Sequence, residues 1–287
     1  MTGDCLAVVG DLVEDVVVWP DGPVQHGTDT PSQVFRSRGG SAANVAAAAA
    51  PYVPSRFLGC VGSDPLGDRL VASLVAEGVD VRVQRRGRTG TVVVLVDPDG
   101  QRTFLPDRGA AADLDPVPVT ELDGVALLHV PAYGLDGGRT AVSVRALLEL
   151  AGTRRLPVSL DASSWAVLRS IGDFPDLVRR VQPVVVFANA DEARELPLPL
   201  PGTTVVVKDG ARPTTVLLAD GGTLRVPVPP VGGVRDSTGA GDAFAAGWLS
   251  ATMEGRDGPA CVQRAHQLAR AVLATPGAGP DRSEGRT

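Results

Sequence analysis

The feature that most limits how this chain can fold is a repeated pairing of short apolar runs with helical stretches. Beyond Gly109, the runs Val125–Val130, Pro157–Leu160, Val184–Phe187 and Thr203–Val207 are nearly continuous in Val, Leu, Ala and Phe. Short runs of this kind, without polar alternation, suit strands covered on both faces. Thr140–Leu150 and Phe174–Val181 lie between them and read as helices. Parallel strands need crossover connections, so this alternation predicts a parallel sheet with helices on both faces. Leu6–Gly10 and Arg56–Gly62 read as further strands, and Ala240–Met253 and Pro259–Ala274 as closing helices. Asp64-Pro65 opens another helix, with Pro at the favoured first position and Leu66, Leu70, Leu74 and Val75 on one face. The expected fold class is α/β, a three-layer α/β/α domain with a central, mostly parallel sheet.

A second sheet is expected beside it. Thr91–Val96 and Gln101–Leu105 flank the tight turn Asp97-Pro98-Asp99-Gly100, a hairpin pattern. Asp15–Val18 and Gln33–Arg38 supply two more short strands. Together they predict a small β-sheet lid over residues 12–38 and 88–108 within one domain spanning 1–287. Val216–Leu218 and Thr223–Val226 form a hairpin pattern around Asp220-Gly221-Gly222, and the polar residues 277–287 read as a frayed tail.

Composition excludes several functions. Aromatic residues are 4% of the 287, so the core must be built from Val, Leu and Ala. A net charge of −6 argues against nucleic acid as a partner. Arg82, Arg85, Arg86 and Arg88 read as a solvated linker. Three separated cysteines form neither a disulfide framework nor a zinc motif. His129 ends an apolar run and reads as a core residue. No apolar run reaches membrane-spanning length and no signal peptide is evident, so a cytoplasmic location is expected.

The chemistry concentrates in Asp236-Ser237-Thr238-Gly239-Ala240-Gly241-Asp242, which opens the small, apolar helix from Ala243. Backbone N–H groups of Gly239, Ala240 and Gly241 lack intrahelical partners and face an anion favourably. Asp242 beside such a site is either a helix cap or a base that takes a proton from an attacking hydroxyl. Asp11 and Asp15 follow the first strand, at the end where open α/β sheets bind ligands. Gly39 and Gly40 permit close approach of a ligand or a neighbouring element, and Asn44 offers both a donor and an acceptor.

In order along the chain, Gly10–Asp15, Gly39–Ala46, Gly59–Gly67 with Glu77–Val81, and Asp236–Gly247 resemble the motifs of the ribokinase-like, or PfkB, family of carbohydrate and nucleoside kinases. The resemblance covers essentially the whole chain. It implies transfer of the ATP γ-phosphoryl group to a hydroxyl, with Asp242 as general base and Gly239, Ala240 and Gly241 as anion hole. Asp11, Asp15, Gly39, Gly40, Asn44 and Arg108 would meet the acceptor. Asn189, Lys208, Gly210, Thr238, Gly241 and His266 would meet ATP. Asn189-Ala190-Asp191-Glu192 matches the family element that governs Mg2+, with Glu192 acting through water. Asp236 and Thr238 match positions that hold K+ in some members. Exposed strands of the lid pair copies in some relatives, so a homodimer through the lid is a further expectation.

Departures argue against ribose as the acceptor: Val13, Ser41-Ala42 and Pro131-Ala132-Tyr133 stand where ribose-specific members carry other residues. The leading expectation is a kinase for a small sugar. A nucleoside kinase needs an apolar or aromatic slot, for which Tyr133, Trp165 and Phe104 are the candidates. A catalytically idle sugar-binding sensor would have lost Asp242 or the glycines, and a dinucleotide-binding dehydrogenase would need GxGxxG after the first strand. Neither pattern is present.

Overall fold

The computed structural model describes residues 4–97, 102–231 and 237–274. The chain begins with β1 (Cys5–Val9), β2 (Val13–Pro20), β3 (Ser32–Gly39) and α1 (Ser41–Ala49). Next come β4 (Ser55–Val61), α2 (Pro65–Ala76), β5 (Asp80–Arg85), β6 (Thr89–Val96) and β7 (Arg102–Gly109). β8 (Val125–Pro131), α3 (Gly138–Thr153), β9 (Val158–Asp161), α4 (Trp165–Ile171) and α5 (Phe174–Val181) follow. β10 (Val185–Asn189), α6 (Ala190–Ala193), β11 (Thr204–Asp209), β12 (Arg212–Leu217), β13 (Thr223–Val226), α7 (Ala240–Met253) and α8 (Gly258–Ala274) complete it.

Nine strands form the large sheet, in the order β13-β12-β11-β10-β9-β8-β1-β4-β5. Pairing is parallel from β11 through to β5; at one edge the β11–β12 and β12–β13 pairings are antiparallel. Successive side chains leave opposite faces of a strand. On β1, Leu6 and Val8 therefore enter a core with α1, α2, α7 and α8, while Ala7 and Val9 enter a second core with α3, α4 and α5. This is the expected three-layer α/β arrangement. Three aromatics meet in the first core, where Phe187 packs edge-on against Phe244 and Trp248 at 6.4 and 6.2 Å. His129 lies wholly buried beneath them, its Nδ1 2.9 Å from Ser159 Oγ, and burial pushes its pKa down to about 4.

The small sheet has the order β3-β2-β6-β7. β2 pairs antiparallel with β3 and parallel with β6, and β6 antiparallel with β7. Val13 lies opposite Gly39, and Thr89 opposite Gly109, so all four strands join the rest of the chain at the same end of this sheet.

Several local readings differ. Arg82 and Arg85 lie on β5, an edge strand of the large sheet, and not in a linker. The half-buried Val81 and Val83 flank Arg82 at the two-residue period of a strand, which a count of charges overlooks. These arginines are ion-paired: Arg82 with Asp80 at 2.7 Å, Arg85 with Asp68 at 2.9 Å, and Arg86 with Asp113 and Asp115. α4 was not anticipated, and β12 starts at Arg212, earlier than the hairpin pattern suggested. The turn residues 98–101, Asp236 and the tail 277–287 lie outside the described residues.

Candidate active site

Asp242 sits in the first turn of α7, whose N-cap Gly239 takes a left-handed φ of 75°. Its Oδ1 accepts a hydrogen bond from Ser41 Oγ at 2.6 Å and its Oδ2 one from Asn44 Nδ2 at 2.9 Å. Both donors come from the first turn of α1, three residues apart on one face. Gly40 makes that docking possible: a Cβ there would lie 2.2 Å from the Asp11 carbonyl oxygen, and its φ is +99°. Arg38 Nη1 donates to Asn44 Oδ1 at 3.2 Å, which turns the amide NH2 toward Asp242, and its Nη2 pairs with Glu77 at 3.2 Å. Burial pushes Asp242 up to about 6, against the two hydrogen bonds that favour its charged form. A carboxylate poised there is suited to accepting a proton near neutral pH.

A second group of charges adjoins it at the carboxyl ends of β9, β10 and β11. Asn189 and Lys208 are register partners, as are Phe187 and Asp161. Lys208 Nζ lies 3.3 Å from Asp161 Oδ2. It also lies against α7, since a Cβ on Gly241 would come within 3.4 Å of it. Burial alone would lower the Lys208 pKa; the Asp161 and Glu192 carboxylates outweigh it and raise it. Asn189 and Glu192 form a capping box on α6: Asn189 N and Nδ2 each donate to a Glu192 oxygen at 2.7 Å. The Glu192 carboxylate is buried, and desolvation followed by repulsion from Asp161 pushes it up to about 7. Among the described residues, no three acidic, His or Cys side chains converge into a metal cage.

Other expected residues are engaged differently. Arg108 Nε and Nη2 each donate to an oxygen of buried Asp11 at 2.8 Å, and Nη1 donates to the Asp136 carbonyl at 2.8 Å. Asp11 and Arg108 thus pair with each other. Asp15 packs over Gly39, where a Cβ would lie 2.1 Å from its carboxylate. Gly210 is an exposed turn residue with φ +59° between β11 and β12. The ring of His266, expected beside ATP, is buried against Phe244 with Nε2 2.8 Å from Thr214 Oγ1.

A cavity of about 390 Å3 opens between the small sheet and the starts of α1 and α7. Asp15, Val17 and Trp19 of β2 and Val94 of β6 line one side; Asn44 and Gly239 lie on the other. Sequence reading missed Ser41, Asp161 and Trp19. Ser41 was legible as the residue three before Asn44, and Asp161 as the polar end of a strand. Trp19 continues the period-two face of Asp15 and Val17, beyond where the strand was expected to stop.

Residues 4–284 match the family described as pfkB family carbohydrate kinase, and the chain belongs to that family. Fructokinase of Klebsiella pneumoniae is 33% identical over 266 residues, which cover 85% of this chain and 82% of that protein. Among solved structures, adenosine kinase from Sinorhizobium meliloti superposes with a TM-score of 0.85 at 22% identity, over 98% of this chain and 96% of that one. A Ribokinase II from E. coli in complex with ATP and Mg2+ gives 0.81 at 21% identity, over 96% and 94%. At these identities the structures speak to the fold alone. The protein is a sugar or nucleoside kinase of this family. No helix among the described residues is long and apolar enough to cross a membrane.

Proposed function

We propose that the protein transfers the γ-phosphoryl group of ATP to a hydroxyl of a sugar-type acceptor, with Asp242 as general base. The acceptor oxygen attacks the γ-phosphorus, its proton passes to Asp242, and the bond from the γ-phosphorus to the β,γ-bridging oxygen breaks to release ADP. The backbone N–H groups of Gly239 and Gly241, with the Lys208 ammonium alongside, stabilise the charge on the transferring group; that of Ala240, expected to join them, donates to the Ser237 carbonyl at 3.2 Å. Asp15 and Asn44 hold acceptor hydroxyls, and the small sheet serves as a lid that keeps water from the phosphoryl group. The observation that carries this reading is the Asp242 carboxylate, held on both oxygens and raised to about 6 beside an amide-rich helix start.

The carboxylates of Asp161 and Glu192, both acting on Lys208, fit a magnesium ion that keeps its waters, as this ion usually does on nucleotide phosphates, while Asn189 spends its amide on the capping box that orients Glu192. Bound with ATP, Mg2+ would supply charge neutralisation on the phosphates. A potassium site would rest on Asp236, outside the described residues. Replacing Asp242 with Asn tests the proposal: with ATP, magnesium and a panel of sugars and nucleosides, turnover should fall roughly 10²–10⁴-fold while ATP binding persists. Turnover within a few-fold of wild type would remove Asp242 as the base.

A further inference from the structure

We propose that the acceptor is a nucleoside, a sugar carrying a planar nitrogenous base, and that Trp19 is the residue that selects for the base. This rests on the kinase reading above. Asp15, Val17 and Trp19 follow one another at the two-residue period of β2, and Val94 of β6 is the register partner of Val17. All four line the cavity of about 390 Å3. The polar end, Asp15 and Asn44, adjoins Asp242 and suits hydroxyls. Beyond it the wall is apolar and aromatic: Val17, Trp19 and Val94, faced by Ala47 and Ala48 of α1. A bare monosaccharide presents hydroxyls all round and would desolvate them against that wall without partners. A planar base buries the wall instead and stacks on the indole.

Charge narrows the choice further. Arg108, which could have met the anion of a sugar acid or a sugar phosphate, has both Asp11 oxygens in its fork. Trp19 Nε1 is buried without a hydrogen-bond partner among the described residues. A turn of the indole would set that N–H on a ring nitrogen or carbonyl oxygen of a base.

The test is ADP release from ATP and magnesium by wild type, Trp19→Ala and Trp19→Phe. Acceptors are adenosine, guanosine, uridine and cytidine against ribose, fructose and ribose 1-phosphate. The expected result is a kcat/KM for at least one nucleoside about tenfold or more above every other acceptor. Trp19→Ala should raise the KM for that nucleoside roughly 5- to 150-fold, the range of base–aromatic stacking, with kcat and the KM for ATP little changed. Trp19→Phe, which keeps a ring and guards against a folding defect, should retain most of the affinity. A bare sugar or the sugar phosphate used as well as the best nucleoside, in a reaction that Asp242→Asn abolishes, overturns the inference and leaves the kinase reading standing. Turnover of no acceptor by wild type or Asp242→Asn overturns both. An unchanged nucleoside KM in Trp19→Ala overturns the role of Trp19.

Discussion

Ser41→Ala gives the sharpest test of the proton-accepting site, because it removes one named contact and leaves the carboxylate in place. Ser41 Oγ donates to Asp242 Oδ1 at 2.6 Å, and this bond favours the charged carboxylate. Hydrogen bonds to charged groups contribute about 1.5–3 kcal/mol. Both side chains keep some contact with solvent, so the lower end applies. At 1.36 kcal/mol per pKa unit, the Asp242 pKa should rise from about 6 toward about 7. The free-enzyme value governs the acid limb of kcat/KM, and a base works only when deprotonated, so activity falls as pH drops through that value. The variant should lose about threefold at pH 6.5 and almost nothing at pH 8, from the deprotonated fractions at the two pKa values. The assay is the pH profile of coupled ADP release with one acceptor, wild type beside Ser41→Ala. An acid limb that stays put while activity falls equally at every pH would mean that Ser41 orients the acceptor and does not tune Asp242.

Two further outcomes follow from close contacts. Gly39→Ala puts a Cβ 2.1 Å from the Asp15 carboxylate and must displace it, so the KM for the acceptor should rise about tenfold or more while the KM for ATP holds; equal effects on both would place Asp15 outside the acceptor site. Lys208→Met leaves Asp161 and Glu192 buried without their cation, which should cost about 3 kcal/mol of stability. Glu192, which burial and Asp161 already push up to about 7, would lose the cation that opposes the rise; stability held by a raised group is lost as pH rises, so the drop in melting temperature should be larger at pH 8 than at pH 5. A drop independent of pH would show that packing of the lysine stem dominates.

Much of this architecture was legible because its signals are local. The buried runs of β8 to β11 and the alanine-rich start of α1 read directly as a covered parallel sheet, and Asp64-Pro65 marked the start of α2, where Asp64 Oδ1 accepts from Gly67 N at 2.8 Å. What escaped depended on distant parts of the chain. Asp11 and Arg108, 97 residues apart, were each legible as polar groups near the cleft, yet their mutual pairing is a property of the fold. His266 carries no local mark of the Thr214 hydroxyl that engages it. Trp19 was hidden by a strand boundary drawn too early, and boundaries are the part of an element that local propensity defines least. Ser41 was noticed only as a substitution, because its contact with Asp242 spans 201 residues.

The small sheet is anchored as a cantilever. Its four strands enter or leave at one end, near Val13, Gly39, Thr89 and Gly109, and Arg108 pins that root to Asp11 and Asp136. Asp15 lies near the root; Trp19 lies four residues farther out, about 13 Å at the rise of a strand. Any rotation at the root moves points in proportion to their distance from it. Asp15, which would grip the hydroxyls, scarcely shifts, whereas Trp19 sweeps the widest arc of the cavity wall. One support geometry would thus combine fixed placement at the proposed hydroxyl contacts with latitude farther out along the cavity wall.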